Sequence, residues 1–204
     1  MPPALPGEDV TQRIHFLPAG EDWIRSAAVW SEVVSFVGGC NVLNPAIVAR
    51  RDGTIHGCCL VTTRLIREGE AVWELDEPTY TKKQIESWSE ERQEAFDWYG
   101  FQCGVDRYSL PEGLSREMNH SCDPNTWWSG SIALVARRDI QPGDEVTYDY
   151  STADLDHEFE IECNCGSLRC RGTISNRDYL DPEWQRQYGA NLLPHMLSAI
   201  ERAR

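Results

Sequence analysis

Three cysteines stand close together in the string CNCGSLRC: Cys163, Cys165 and Cys170. Thiolates are the preferred ligands of structural zinc, which takes four of them in a tetrahedron. Cysteines one residue apart rarely bridge each other, but both can aim their sulfurs at one ion. The spacing therefore reads as three ligands of a metal site that needs a fourth from elsewhere. Reduced thiols without a metal are the alternative. Gly166 suits a tight ligand loop, which calls for a positive φ. Two other strings carry reactive side chains. REMNHSCDPN, residues 116–125, sets His120 and Cys122 among small polar groups, and GDEVTYDY, residues 143–150, sets Tyr148 and Tyr150 two apart. Taken singly, His120 reads as a satisfied loop histidine and Tyr150 as a core residue on a strand.

A chain of 204 residues has room for one domain with a real core. Its 19 basic and 33 acidic residues leave a net charge of −14. Nucleic-acid binding needs cations to displace counterions, so this balance argues against it. A basic protein or peptide is the better-matched partner. No apolar run approaches the ~20 residues of a membrane span. MPPALPGEDV lacks the basic and apolar regions of an export signal. The eight cysteines are thus expected in a reducing, intracellular compartment: cytoplasmic, or nuclear in a eukaryote.

The elements that must position these groups are mostly short. Residues 1–20, rich in Pro and Gly, read as irregular, and the apolar spacing over Glu21–Phe36 predicts a helix ended by Gly38 and Gly39. AIVAR and CCLVTT read as strands joined at Asp52-Gly53, a hairpin signal. AVWEL is a further strand. Thr81 caps a helix predicted over Lys82–Phe96, anchored by Ile85, Trp88 and Phe96. Short segments follow at Tyr99–Gly104 and Arg107–Leu110. SIALVARRDI and EVTYDY are strands on either side of a turn at Gln141–Asp144. Residues 152–161 are acidic with few apolar groups. Beyond Asp181 the sequence predicts one or two helices, with Pro182 at a start and Pro194 interrupting.

In this order the three strings resemble the SET-domain protein lysine methyltransferases. RxxNHSCxPN and GDEVTYDY are similar to that family's two signatures, and the cysteine string looks like its post-SET zinc motif. Gly57–Ile66, followed by Gly69-Glu70, resembles the strand that opens the domain on the cofactor side. The resemblance covers about residues 45–175. It implies a mainly β fold with flanking helices, in which small curved sheets surround a knot-like core. The segment ending in Tyr150 would tuck beside the NHSC loop. It divides the chain into an N-terminal extension (1–44), a SET domain (45–155), a post-SET segment (156–175) and a helical tail (176–204).

The resemblance also implies roles. S-adenosylmethionine would be held by Gly57, Cys58, Cys59, Asn119, His120 and Tyr150. Tyr150 would be the catalytic tyrosine, and Arg116 would brace the loop. Cys122 would be the fourth zinc ligand beside Cys163, Cys165 and Cys170. Tyr148 stands where the family carries Phe or Tyr. Its hydroxyl would hold water near the lysine nitrogen and favour monomethylation. The family's Gly-x-Gly is here Gly57-Cys58-Cys59, which adds a side chain where backbone approaches the cofactor. On a strand, Cys58 and Cys59 would face opposite ways. The family's cysteine-rich segment before the domain has no counterpart in residues 1–44. Two other functions compete with protein-lysine methylation. One is a sulfonium-driven reaction on a small amine under a lid formed by residues 181–204. The other is a SET-like interaction module without turnover.

Overall fold

The computed structural model describes residues 42–204, apart from 52, 54, 56, 77 and 131. The helix expected over Glu21–Phe36 lies outside the described residues. Short strands dominate the rest, as expected of a mainly β chain. β1 (Val42–Leu43), β2 (Ile47–Arg50), β3 (Cys59–Thr62) and β4 (Ala71–Glu74) come first. Ile47 pairs with Thr62 and Arg50 with Cys59, so β2 and β3 are antiparallel with residues 51–58 between them. The turn expected at Asp52-Gly53 lies partly outside the described residues. All four residues of β3 are buried, as an apolar run with no polar alternation requires.

The single helix predicted over Lys82–Phe96 is two: α1 (Lys82–Glu86) and α2 (Glu90–Tyr99). Thr81 caps α1 in a reciprocal box with Gln84. The Ser87 hydroxyl then donates back to the Gln84 carbonyl at 2.6 Å, and Ser89 starts α2, with Glu90 and Glu91 in its first turn. Serine competing for backbone groups is what ends the first helix. The break lets Ile85 and Trp88 pack with Phe96, Tyr108 and Leu110 in a small separate core.

β5 (Phe101–Gly104) and β6 (Arg107–Ser109) form an antiparallel pair. β7 (Asn119–His120), β8 (Thr126–Ser129), β9 (Ala133–Ala136) and β10 (Thr147–Tyr148) follow. One four-stranded sheet runs β1-β4-β9-β8. β7 and β10 pair in parallel, Asn119 with Thr147 and His120 with Tyr148. The Val146 amide donates to the Leu60 carbonyl at 2.7 Å and the Ser121 amide to the Tyr148 carbonyl at 3.0 Å. The GDEVTYDY segment therefore threads between β3 and the NHSC loop. Gly143, at φ +89°, makes the preceding turn possible. EVTYDY is not one long strand: Tyr150–Thr152 is a 3-10 turn capped by Asp149, so Tyr150 sits just past the strand.

The last strands, β11 (Glu160–Glu162) and β12 (Thr173–Ser175), pair across the cysteine loop, and α3 (Pro182–Tyr188) and α4 (Pro194–Ala203) end the chain. Pro194 opens α4 as its first residue. Trp184, Tyr188, Leu192, Leu193, Met196 and Ile200 join the main core with Leu60, Val72, Trp73 and Leu134. Burying each large apolar side chain is worth about 1.5–3 kcal/mol. The C-terminal helices are thus held as part of the core. Residues 152–154, within the acidic stretch, are buried as well.

Candidate functional site

The parallel β7–β10 pair brings the two reactive strings side by side. The rings of His120 and Tyr150 lie 5.2 Å apart, and those of Tyr148 and Tyr150 lie 4.9 Å apart. The Tyr150 hydroxyl donates to the Met118 carbonyl at 3.0 Å. Burial pushes both tyrosine pKa values well above the ordinary phenol value. Tyr150 therefore stays protonated, with its proton committed to Met118 and its lone pairs available as acceptors. Tyr148 lines a narrow cavity of about 30 Å³ with Trp73, Phe101, Met118, Trp128 and Leu134. Trp128 is fixed in that wall by its indole N–H, which donates to the Thr152 hydroxyl at 2.8 Å. Arg116 donates to the Pro111 carbonyl and lies 5.0 Å from the Tyr99 ring, bracing the turn before Met118.

Asn119 and His120 are turned inward. Asn119 Nδ2 donates to the Cys58 carbonyl at 2.9 Å and to Glu145 Oε1 at 2.7 Å. This leaves its carbonyl oxygen as the group it could turn toward a cofactor. His120 Nδ1 accepts from the Tyr150 amide at 3.2 Å, which puts the proton on Nε2, 3.3 Å from Cys122 Sγ. Burial lowers the His120 pKa to about 4, against the opposing pull of Asp149, so the ring is neutral at pH 7. With both ring nitrogens engaged, only its backbone could serve a cofactor. Cys59 is buried, while Cys58 is half-buried and Gly57 exposed. A Cβ at Gly57 would meet no atom within 4 Å. The side chain added at Cys59 therefore fills core rather than this open space. Open backbone at Gly57 and the inward acceptors at Asn119 and Cys58 fit a polar cofactor laid along the start of β3.

The sulfurs of Cys122, Cys163, Cys165 and Cys170 lie within 4.8 Å of one another. Cys163 Sγ is 3.7 Å from Cys122 Sγ and 3.8 Å from Cys170 Sγ. Zinc–sulfur bonds of about 2.3 Å give tetrahedron edges of about 3.8 Å, so the donor set fits zinc. Backbone amides support the sulfurs: Cys122 N points at Cys165 Sγ and Arg171 N at Cys122 Sγ, each at 3.4 Å. Burial pushes the Cys163 thiol up to about 11 and Cys122 higher still. At Cys165 burial is outweighed by the Cys122 amide and the Ser167 groups, and its pKa falls to about 6. Gly166 takes φ +70°, the conformation its loop requires. Among the described residues the cysteines are free of disulfides.

Sequence reasoning missed Asp149. Its carboxylate is fully buried and accepts from Arg171 through two N–H groups at 2.8 and 2.9 Å and from the Ser151 amide at 3.1 Å. Arg171 Nε also pairs with Asp178 at 3.0 Å. An acidic residue between two tyrosines in a strand-like string was the available signal, since a charge there needs a buried partner.

Asp154 is buried beside Tyr148 and accepts from the Gln102 amide at 2.8 Å. Burial raises its pKa to about 7, helped by Asp156 and opposed by that amide. The unfolded carboxyl ionises near 4. This group's contribution to stability is therefore full below about pH 4 and is lost as pH rises through about 7. Asp154→Asn keeps the acceptor facing Gln102 and removes the titration. The variant is expected to gain stability over wild type between pH 5 and pH 8 in urea unfolding. A stability difference that stays constant across that range would count against it.

A mainly β domain with a narrow aromatic cavity and a four-cysteine cluster is what this geometry defines. Residues 57–151 match the family model described as "SET domain", and this segment has the SET-domain fold. The chain is 43% identical over 70 residues to the H3 lysine-9 specific histone-lysine N-methyltransferase SUVH1 of Nicotiana tabacum, covering 29% of this chain and 10% of that protein. It is 32% identical over 133 residues to histone-lysine N-methyltransferase 2B of Homo sapiens, covering 57% and 5%. It is 33% identical over 135 residues to the histone-lysine N-methyltransferase trithorax of Drosophila virilis, covering 57% and 3%. The chain thus spans a tenth or less of these curated relatives. Among the described residues, no helix is long and apolar enough to cross a membrane.

Proposed function

We propose that the protein is an S-adenosylmethionine-dependent protein-lysine N-methyltransferase with one structural zinc. The observation that carries this reading is the parallel pairing of β7 and β10, which sets Tyr148 in the wall of the narrow aromatic cavity with the Tyr150 ring 4.9 Å from it. S-adenosylmethionine, when bound, would supply a methyl group on a good leaving group. The chain must then align the acceptor and keep it neutral, rather than supply strong acid–base catalysis.

Trp73, Phe101, Trp128, Met118 and Leu134 form water-poor walls that favour an uncharged amine over an ammonium. Tyr150, its proton held by Met118, would offer its oxygen lone pairs to the polarised methyl C–H bonds. Open backbone at Gly57, the Asn119 carbonyl oxygen and the Cys58–Asn119 contact would seat the cofactor. Cys122, Cys163, Cys165 and Cys170 would hold zinc, which supplies cross-linking of the NHSC loop to the C-terminal segment.

The net charge of −14 favours a basic segment as substrate, and the relatives' names make histone tails the first to try. A reducing intracellular compartment suits the free cysteines, the nucleus if the source is eukaryotic. The test is calorimetric titration of zinc-loaded protein with S-adenosylhomocysteine, followed by mass spectrometry of lysine peptides. Binding at micromolar or tighter, about −8 kcal/mol or better, and methylated peptide are expected. No binding with or without peptide would overturn the reading.

Tyr148 should set the number of methyl groups added. Its hydroxyl occupies cavity space and can hold a water where a second methyl would go. Wild type is expected to give mainly monomethyl product, and Tyr148→Phe mainly di- and trimethyl product. Abundant trimethyl product from the wild type would refute this.

A further inference from the structure

The cysteine cluster is built from two stretches of chain, one at Cys122 and one at 163–170. They are far apart in sequence and make no sheet pairing with each other. A third element, α3, lies outside the SET domain match and touches both. Gln187 Nε2 donates to the Cys122 carbonyl at 2.8 Å, and its Oε1 accepts from Arg169 of the cysteine loop at 3.3 Å. The second Nε2 hydrogen goes to the Tyr188 hydroxyl at 3.1 Å. That hydroxyl donates to Asp149 Oδ2 at 2.7 Å, and the Trp184 indole donates to the same oxygen at 3.2 Å. Asp149 in turn holds Arg171, whose amide points at Cys122 Sγ. Each donor in this chain of hydrogen bonds meets an acceptor, from carboxylate through phenol and amide to the carbonyl of a cluster cysteine. Tyr188 and Trp184 are almost fully buried, so the chain is shielded from competing water.

We infer that α3 is a clamp on the cysteine cluster, with Gln187 and Tyr188 as positioning residues that hold its two halves together. The inference rests on the zinc reading of the cluster. For zinc to leave, the Cys122 segment and the cysteine loop must part. Gln187 joins those two segments directly, and Tyr188 fixes the Gln187 amide from behind. Partners one step out from metal ligands typically change metal affinity 10- to 100-fold when removed. The clamp also reaches Tyr150, because Asp149 precedes it and caps its turn.

The experiment is zinc transfer from the zinc-loaded full chain to an excess of chromophoric chelator. Gln187→Ala removes both bridges. Tyr188→Phe keeps the ring and its packing and removes only the hydroxyl. Ser198→Ala, on the exposed side of α4, serves as the control, since that hydroxyl bonds only within its helix. About tenfold or faster release is expected from each of the first two variants and an unchanged rate from the control. Because both residues act in one chain, the double variant should release zinc little faster than the faster single one. Release at the wild-type rate from both variants, with zinc present, would overturn the clamp alone. A wild type that binds no zinc would overturn the reading of the cluster and the clamp with it.

Discussion

Cys165→Ser is expected to lose zinc and to unfold the segment from Phe159 to Ser175 while the main core stays folded. Apart from the Arg171 ion pairs and the Gln187 contacts, the region around the cluster has little else to hold it. Its apolar packing consists of Ile174 and the partly buried Tyr150, Phe159 and Ile161 around the cysteines themselves. Its only sheet is the three-residue pair β11–β12, and a two-stranded sheet alone is marginal in water. Metal binding at such a site is folding energy, about 10–16 kcal/mol in small zinc modules. The main core, by contrast, is assembled from β3, β4, β9 and the C-terminal helices and contains none of the four cluster cysteines. Hydrogen exchange should therefore show amide protection lost at 160–175 and kept in β3, β4 and β9. Metal analysis should show less than one zinc per chain. Methyl transfer should fall with it, because Cys122 is bonded to His120 and His120 accepts from the Tyr150 amide. Unchanged protection at 160–175 in metal-free protein would refute a structural role for zinc.

The chemistry of the site was more legible in the sequence than its geometry. Short-range signals carried far: Thr81 marked a cap, Pro182 marked a helix start, and CNCGSLRC marked three cysteines that meet a fourth, whereas Pro194, read as an interruption, opens α4. What local pattern could not carry were pairings set by long-range threading. β7 and β10 are two residues each, too short for any periodicity, and their parallel register depends on the loop between them passing through the fold. The EVTYDY string reads as one strand because Val, Thr and Tyr favour strands. Asp149 overrides that preference by capping a turn at Ser151, and the turn is what points Tyr150 toward Met118. The break between α1 and α2 likewise comes from Ser87 bonding backward, an outcome that helix propensity alone does not forecast. The inward faces of Asn119 and His120 were invisible for a different reason. Their partners, Cys58, Glu145, Asp149 and Cys122, are mostly remote in sequence.

Asp149→Ala should be the most damaging single substitution outside the cysteines, although Asp149 itself would touch neither cofactor nor substrate. The carboxylate is fully buried and receives Arg171, Tyr188, Trp184 and the Ser151 amide. Removing it leaves the Arg171 guanidinium, itself only 19% exposed, with Asp178 as its remaining carboxylate. Breaking a buried pair from one side costs about 3–5 kcal/mol, because the other charge stays behind. Against a total stability of about 5–15 kcal/mol, that lowers the melting temperature on the order of 10 °C. The exposed pair Arg177–Glu158, at 3.5 Å, offers the contrast: Arg177→Ala should cost less than about 1 kcal/mol. Acid should act on the same carboxylate. Burial alone would raise its pKa, but Arg171, His120 and Tyr188 outweigh that and hold it below the usual carboxylate range. Its stabilisation is therefore full above the unfolded value near 4 and disappears as pH falls through the lower folded value. Asp149→Asn keeps the shape and loses the charge, so its cost should lie between those of wild type and alanine at pH 7. As pH falls below about 4 its disadvantage should shrink, because the unfolded wild type takes up a proton that the folded carboxylate resists. Urea unfolding of the three proteins at pH 7 and pH 3 measures all of this. Equal midpoints for Asp149→Ala and wild type at pH 7 would mean that the buried carboxylate does not hold the C-terminal helices to the SET domain.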